Sequence, residues 1–228
     1  MLNLAEYRRK PRLLADFLPW AALVGEGLVL NKDGSLQRSA RFRGPDLDSA
    51  TPAELVAVAN RLNGALRRLG SGWTLFTEAQ RIPATAYPES TFPDAVSALV
   101  EAERKAQFEG GSEGDTTRAA HYESRSILTL VWMPPPDDAS RAEGWLYEGR
   151  DAANGSTAIE HLASFRDRTD RLLDLLQGVF PEAAWLDDGE TLSYLHACIS
   201  PHRQSVRVPE TPMHLDALLA DTPFTGGL

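Results

Sequence analysis

Val29-Leu30-Asn31-Lys32-Asp33-Gly34-Ser35-Leu36-Gln37-Arg38 is the stretch that decides how the fold begins. Asp33-Gly34 lies between two apolar runs, and glycine readily adopts the positive φ that a tight hairpin turn requires. The run after the turn alternates roughly between apolar and polar residues, as a half-buried strand does. We therefore predict a β-hairpin whose strands are residues 27–30 and 36–42.

A helix is predicted to follow the hairpin. Thr51-Pro52-Ala53-Glu54 supplies a capping hydroxyl, a proline suited to the first turn, and the glutamate that completes a capping box. Apolar residues then recur at helical spacing until Gly70, and they are Leu55, Val58, Ala59, Leu62, Leu66 and Leu69. Such a stripe is typical of a helix that packs one face against a core.

The rest of the chain alternates between strand and helix patterns. Residues 126–133 are almost continuously apolar and β-branched, which predicts a buried central strand. The other predicted strands are residues 73–77 and 183–186, and residues 109–120 are predicted to be a surface loop. The other predicted helices are residues 93–108, 157–179, 187–199 and 212–219, together with residues 2–18, which form one helix or two because Pro11 interrupts them. These elements predict an α+β fold with a mostly antiparallel sheet that starts with a β-hairpin and is packed with several amphipathic helices.

The composition is that of an ordinary globular protein with an acidic body. The 228 residues are 43% hydrophobic, and the formal net charge is −9. Residues 1–50 carry 8 basic and 6 acidic side chains, a balance of +2, so the remaining residues carry −11. An acidic body repels a phosphate backbone, so we expect no direct contact with nucleic acid. The single cysteine, Cys198, excludes an intrachain disulfide and is predicted to be a small core residue.

The sequence carries no recognisable catalytic motif. A phosphate-binding P-loop ends in Gly-Lys-Ser or Gly-Lys-Thr, and neither triplet occurs in the sequence. Asp187, Asp188 and Glu190 are predicted to cap a helix rather than to transfer protons. The spacing of the histidines and the cysteine predicts no metal site. We therefore expect no catalytic, cofactor-binding or metal-binding residue in this chain, and a small stand-alone hydrolase or nucleotide-binding protein is the alternative.

Four cations lie close together near the N-terminus, and they are Arg8, Arg9, Lys10 and Arg12. The apolar residues 13–24 follow, but Asp16 and Pro19 interrupt them, and a membrane-spanning helix needs about 20 apolar residues. We therefore expect a cytoplasmic chain. Together with Trp20, the four cations are the candidate contact for a partner or membrane, through anionic lipid or through acidic tails of a partner protein. A solvated N-terminus without a partner is the remaining alternative.

Several stretches resemble the TrbE branch of the CagE/TrbE/VirB family, and together they span nearly the whole chain. They are residues 2–8, 18–21, 29–38, 42–49, 61–63, 66–73, 185–188 and 214–221. The longest of them include Leu66-Arg67-Arg68-Leu69-Gly70-Ser71-Gly72-Trp73 and His214-Leu215-Asp216-Ala217-Leu218-Leu219-Ala220-Asp221. The resemblance is weakest over residues 136–154.

The resemblance implies that the chain is the N-terminal part of a cytoplasmic-face ATPase of a type IV secretion system. In that family ATP and magnesium bind in a C-terminal RecA-like motor, while the N-terminal region is associated with docking and assembly. The implied partners are inner-membrane secretion components and other copies of the ATPase, with peripheral attachment to the inner membrane. We expect a docking segment at residues 1–20, an α+β domain at 21–205, and the start of a connection toward the motor at 206–228.

Overall fold

A computed structural model describes residues 13–84, 86–109, 121–134, 152–200 and 203–221, and their side chains except those of residues 152–157 and 221. The described strands are β1 (Trp20–Gly25), β2 (Leu28–Asn31), β3 (Leu36–Arg43), β4 (Trp73–Pro83), β5 (Tyr122–Trp132) and β6 (Glu182–Trp185). The described helices are α1 (Leu14–Phe17), α2 (Pro52–Leu66), α3 (Ala95–Glu109), α4 (Ala152–Gln177), α5 (Asp188–Ala197) and α6 (Leu215–Asp221). Of the predicted loop at residues 109–120, Glu109 ends α3, and residues 110–120 lie outside the described residues.

The six strands form one sheet. β1, β2, β3, β5 and β4 follow one another across it, and β6 also pairs with β3. β1 with β2, β2 with β3, and β3 with β6 are antiparallel pairs. Since helices accompany this mostly antiparallel sheet, the predicted α+β class is confirmed. β5 lies between β3 and β4, as expected for the apolar strand predicted to be central.

The predicted hairpin is formed by β2 and β3. Gly34 has a φ of 83°, and its N–H donates to the carbonyl oxygen of Asn31 at 3.0 Å. The Asp33 carboxylate accepts hydrogen bonds from the backbone N–H and the hydroxyl of Ser35, at 2.9 and 2.7 Å. The turn therefore uses both residues of the Asp-Gly pair: the aspartate stabilises the loop locally, and the glycine adopts the left-handed backbone.

The described residues group into two compact units along the chain. The main unit takes its described residues from Met1–Thr77 and Ile127–Leu228, and the inserted unit takes its residues from Glu78–Ser126. The domain boundaries expected from the sequence stay predictions. In the main unit, Val206, Leu215 and Leu219 pack with Leu192 in one core.

In the main unit, helices cover both faces of the hairpin. All four residues of β2 are buried. Leu28 and Leu30 belong to the cluster of Phe165 from α4, whereas Val29 belongs to the cluster of Leu192 from α5. Because neighbouring side chains of a strand point to opposite faces, β2 is buried by different helices above and below.

The inserted unit contains the outer parts of β4 and β5, together with α3. The backbone N–H of Ala84 donates to the carbonyl oxygen of His121 at 2.8 Å, which joins the two strand ends. Asp94 begins α3, because its carboxylate accepts the N–H of Ser97 at 2.7 Å. This bond lowers the pKa of Asp94 below its usual value. The whole of α3 is described, and none of its 15 residues is buried.

Candidate functional site

The first described segment, α1, presents apolar side chains to solvent. Leu13 is 68% exposed and Phe17 is 66% exposed. The N–H of Leu13 donates to the carboxylate of Asp16 at 2.9 Å, so a side chain within the segment caps this short helix. Two large apolar side chains, one on α1 and one on the residue just before it, are available to a partner surface. We call Leu13, Leu14 and Phe17 the α1 surface.

The α1 surface is fixed to the main unit by Lys32 in the β2–β3 turn. The ammonium group of Lys32 donates to the carbonyl oxygen of Ala15 at 2.7 Å and pairs with the Asp216 carboxylate at 2.8 Å. Asp216 belongs to α6, which contacts α1. One lysine therefore links the exposed helix, the hairpin and the last described helix.

The predicted contact residues fall into two groups. Arg8, Arg9, Lys10 and Arg12 lie outside the described residues, but covalent connectivity places them within five residues of Leu13. Trp20, which the sequence grouped with these cations, is 7% exposed and packs with Leu18 and Val29. Its ring therefore serves the core, and the exposed apolar residues beside the cations are Leu13 and Phe17. The indole lies in the core because it is carried by strand β1, whose presence was not predicted.

A second surface feature is a groove in the inserted unit, between residues 86–92 and α3. Its volume is about 620 Å³. The hydroxyl of Tyr87 donates to the Glu101 carboxylate at 2.8 Å, and the Tyr87 ring meets Phe108 edge-on at 5.3 Å. The hydrogen bond to Glu101 requires the protonated phenol, so it raises the pKa of Tyr87. This bond and the ring contact hold the loop against the helix and keep the groove's shape.

The outer face of α3 is also apolar and exposed. Val96 is 72% exposed and Leu99 is 71% exposed, and Val100 lies next to them one turn along. α2 has a similar feature, since its N-terminal half exposes Leu55 and Val56. Periodicity predicted that Leu55 would face a core, and the structure corrects this for the first turns of the helix. Further along the stripe, Leu62 packs partly buried against the core and Leu66 is exposed. Leu69, beyond the end of α2, is buried in the same cluster as Ala65.

The buried Arg38 forms a polar cluster that the sequence did not reveal. Its guanidinium group donates to the Thr169 hydroxyl at 3.1 Å and to the Asp170 carboxylate at 2.6 Å, and it lies 4.1 Å from the centre of the Trp185 ring. Burial lowers the pKa of Arg38, and the hydrogen bond and charge of Asp170 offset part of this effect. The cluster joins β3, α4 and β6, so we assign it a role in stability.

The other residues considered for chemistry have structural surroundings. The Asp187 carboxylate accepts the N–H of Glu190 at 2.8 Å, which confirms the predicted helix cap. The Asp188 carboxylate accepts the N–H of Gly27 at 2.7 Å and so joins α5 to the β1–β2 turn. Cys198 is exposed, so its predicted burial is wrong: α5 ends at Ala197, and the cysteine lies just beyond the packed face. Among the described residues, no cluster of His, Cys, Asp and Glu could hold a metal ion. No helix in the described part of the chain is long and apolar enough to cross a membrane.

Comparison with known families gives the class of the protein. The chain belongs to the family of the N-terminal domain of the type IV secretion system ATPases VirB4 and TrbE, whose family model matches residues 27–140. The matched range includes the hairpin, α2 and the α3 groove. It does not include the N-terminal cations.

Two relatives narrow the class to TrbE. The conjugal transfer protein TrbE of Rhizobium radiobacter is 34% identical over 238 aligned positions, which cover 96% of this chain and 28% of that protein. The first portion of a probable conjugal transfer protein TrbE of Sinorhizobium fredii (strain NBRC 101917 / NGR234) is 40% identical over 137 positions, 59% of this chain and 87% of that relative. This chain therefore corresponds to the N-terminal part of a TrbE-type ATPase and spans just over a quarter of the first relative.

Proposed function

We propose that this chain is a docking and assembly domain that couples a secretion ATPase motor to inner-membrane channel components. ATP and magnesium then bind in a part of the longer protein outside this chain, and the chain itself has no turnover. Its partners are inner-membrane secretion components and other copies of the ATPase, without direct nucleic-acid contact. The domain works at the cytoplasmic face of the inner membrane, as a peripheral component.

The observation that carries this proposal is the α1 surface, directly preceded by four cations. Near an anionic membrane surface each cation contributes about 1 kcal/mol. Burying a Leu or Phe side chain contributes about 1.5–3 kcal/mol more. Leu13 and Phe17 are already exposed, so a partner or lipid surface can cover them without unfolding the core. The acidic remainder of the chain, at −11, repels an anionic surface and favours approach through this end.

The test is charge reversal of Arg8, Arg9, Lys10 and Arg12 to glutamate in the full-length ATPase, followed by co-purification with inner-membrane components. We expect at least about a tenfold loss of retained protein, which corresponds to about 1.4 kcal/mol. The matched control reverses the exposed cations Arg67, Arg68, Arg171 and Arg207, which changes the net charge equally.

The two variants separate a local contact from a general charge effect. The control should keep its partners, because exposed ion pairs such as that of Arg171 with Asp167 contribute little to stability. Unchanged co-purification of the N-terminal variant, or equal losses in both variants, would count against the α1 end as the docking surface.

A further inference from the structure

The groove in the inserted unit has walls suited to a cationic side chain. Tyr87 and Phe92 supply aromatic surface, and Ala98 and Ala102 on α3 leave room beside them. Glu89 and Glu101 also line this space. Aromatic faces and carboxylates are the two groups that attract a Lys or Arg side chain most strongly. Because these alanine side chains are small, the backbone of a bound peptide can approach the helix closely.

The charges around the groove also favour a cationic side chain. Residues 86–109 carry five acidic and two basic side chains, Arg104 and Lys105, a balance of −3. Lys105 lines the groove, and its ammonium group lies 3.8 Å from the carboxylate of Glu109, which offsets its charge. Arg104 lies 3.7 Å from one Glu101 oxygen, beyond hydrogen-bond distance, and its own side chain is 68% exposed, so this contact is weak. The local field therefore attracts cations.

We propose that this groove binds an extended, Lys- or Arg-bearing segment of an inner-membrane protein, at the cytoplasmic side of the membrane. Cytoplasmic segments beside membrane-spanning helices carry an excess of Lys and Arg, so their charge and their apolar flanks match the groove. The inference rests on the proposed function, because that function brings the domain to the membrane. The groove would then be a second contact for docking at the membrane, separate in sequence from the α1 surface.

The experiment uses the whole chain and the peptide Leu-Arg-Leu-Lys-Leu-Arg-amide, which carries fluorescein on its N-terminal amine so that all three cationic side chains stay free. Anisotropy is measured at about 0.15 M salt, where long-range attraction is screened beyond about 8 Å. We expect saturable binding, and at least about tenfold weaker binding of the same peptide with glutamine in place of the cations. The double variant Glu89→Gln with Glu101→Gln should weaken binding of the cationic peptide by a similar factor.

Two matched controls keep the result specific to the groove. Glu103→Gln removes a charge from α3 outside the groove and should leave the affinity unchanged. Ala102→Phe fills the groove without changing charge and should abolish binding, whereas Ala106→Phe, on the same helix outside the groove, should not. Glutamine at position 101 can still accept the Tyr87 hydroxyl, so the loop stays in place.

Several outcomes would overturn the assignment. Equal affinity in the double variant and the Glu103→Gln variant, no saturation with the cationic peptide, or binding unaffected by Ala102→Phe would each do so. A peptide of residues 5–14 of this chain that binds about tenfold tighter than the generic peptide would instead assign the groove to a second copy. If the groove does not bind the peptide, the co-purification test of the N-terminal cations can still be interpreted. If that test fails, the peptide titration still reports whether the groove binds a cationic segment.

Discussion

Gly27 and Gly70 form a matched pair that tests how the β1–β2 turn is held in the main unit. Both adopt positive φ, of 65° and 75°. A Cβ added at Gly27 would lie 2.2 Å from the carbonyl oxygen of Leu186, whereas no described atom lies within 4 Å of one added at Gly70. Gly27→Ala and Gly70→Ala therefore both place alanine in a left-handed backbone conformation, but only Gly27→Ala also creates a steric clash.

The two costs can be separated from the structure. Left-handed backbone costs alanine about 1–2 kcal/mol, and reduced freedom of the unfolded chain returns about 0.4–1 kcal/mol, so Gly70→Ala should lose about 1 kcal/mol. At Gly27 the carbonyl cannot move freely, because the N–H of Leu186 bonds to the carbonyl oxygen of Ser39 at 3.0 Å. Overpacking adds about 1–3 kcal/mol, and weakening the charged bond from Gly27 to Asp188 adds about 1.5 kcal/mol. We expect Gly27→Ala to lose about 4 kcal/mol.

Urea unfolding followed by tryptophan fluorescence measures both losses. The four described tryptophans all lie in the main unit, and they are Trp20, Trp73, Trp132 and Trp185. With a slope of about 2 kcal/mol per molar urea, the midpoint should fall by about 2 M for Gly27→Ala and by about 0.5 M for Gly70→Ala. Equal shifts would refute the reasoning, since backbone conformation alone would then explain the cost.

Three further predictions concern stability. Phe165→Ala, at a fully buried position, should destabilise the main unit by about 3–5 kcal/mol in the same urea assay, and a loss below about 1 kcal/mol would contradict the packing described. Asp170→Ala leaves the buried Arg38 guanidinium without its carboxylate and should cost about 3 kcal/mol of stability or more. Arg38→Met leaves a half-exposed carboxylate and should cost less. The reverse order would be inconsistent with the network. The backbone and hydroxyl of Thr51 lower the pKa of Glu54, so Glu54 stabilises the fold above the unfolded pKa near 4.5, and this stabilisation is lost as the pH falls through the folded pKa. Glu54→Gln should flatten this part of a curve of unfolding free energy against pH. An unchanged curve would exclude the capping role.

Local signals in the sequence predicted the parts of the fold that depend on turn and cap chemistry. Asp33-Gly34 forms the hairpin turn, and Thr51 and Asp187 each cap a helix through a capping box. Each signal is informative because a side chain acts on backbone within three residues, where the sequence alone defines the geometry.

The misses occur where distant contacts decide the structure. Strand β1, residues 20–25, lacks polar alternation, and only the two-residue turn at Glu26 and Gly27 separates it from β2. The sequence pattern therefore does not distinguish β1 from the apolar stretch around it. Helical spacing identified the stripe on α2, but spacing cannot show that Leu55 extends past the core while Leu69 is buried. Cys198 lies one residue beyond the end of α5, a boundary that periodicity does not resolve.

The candidate surfaces were only partly predictable. Sequence identified the cations at residues 8–12 but placed Trp20 with them, because an aromatic residue near a basic cluster is equally compatible with an anchor and with a core position. The groove depends on Tyr87 meeting Glu101 across 14 residues, which no local motif encodes. Exposure of Leu13 and Phe17 likewise follows from how α1 is bound to α6.

Sedimentation of the chain with inner-membrane vesicles tests the docking claim most directly. Vesicles from cells that carry the conjugal transfer components are compared with vesicles from cells that lack them, at equal lipid. We predict that the chain pellets with the first vesicles, and that charge reversal at residues 8–12 releases it. Equal pelleting with both kinds of vesicle, or with neither, would contradict docking onto secretion components.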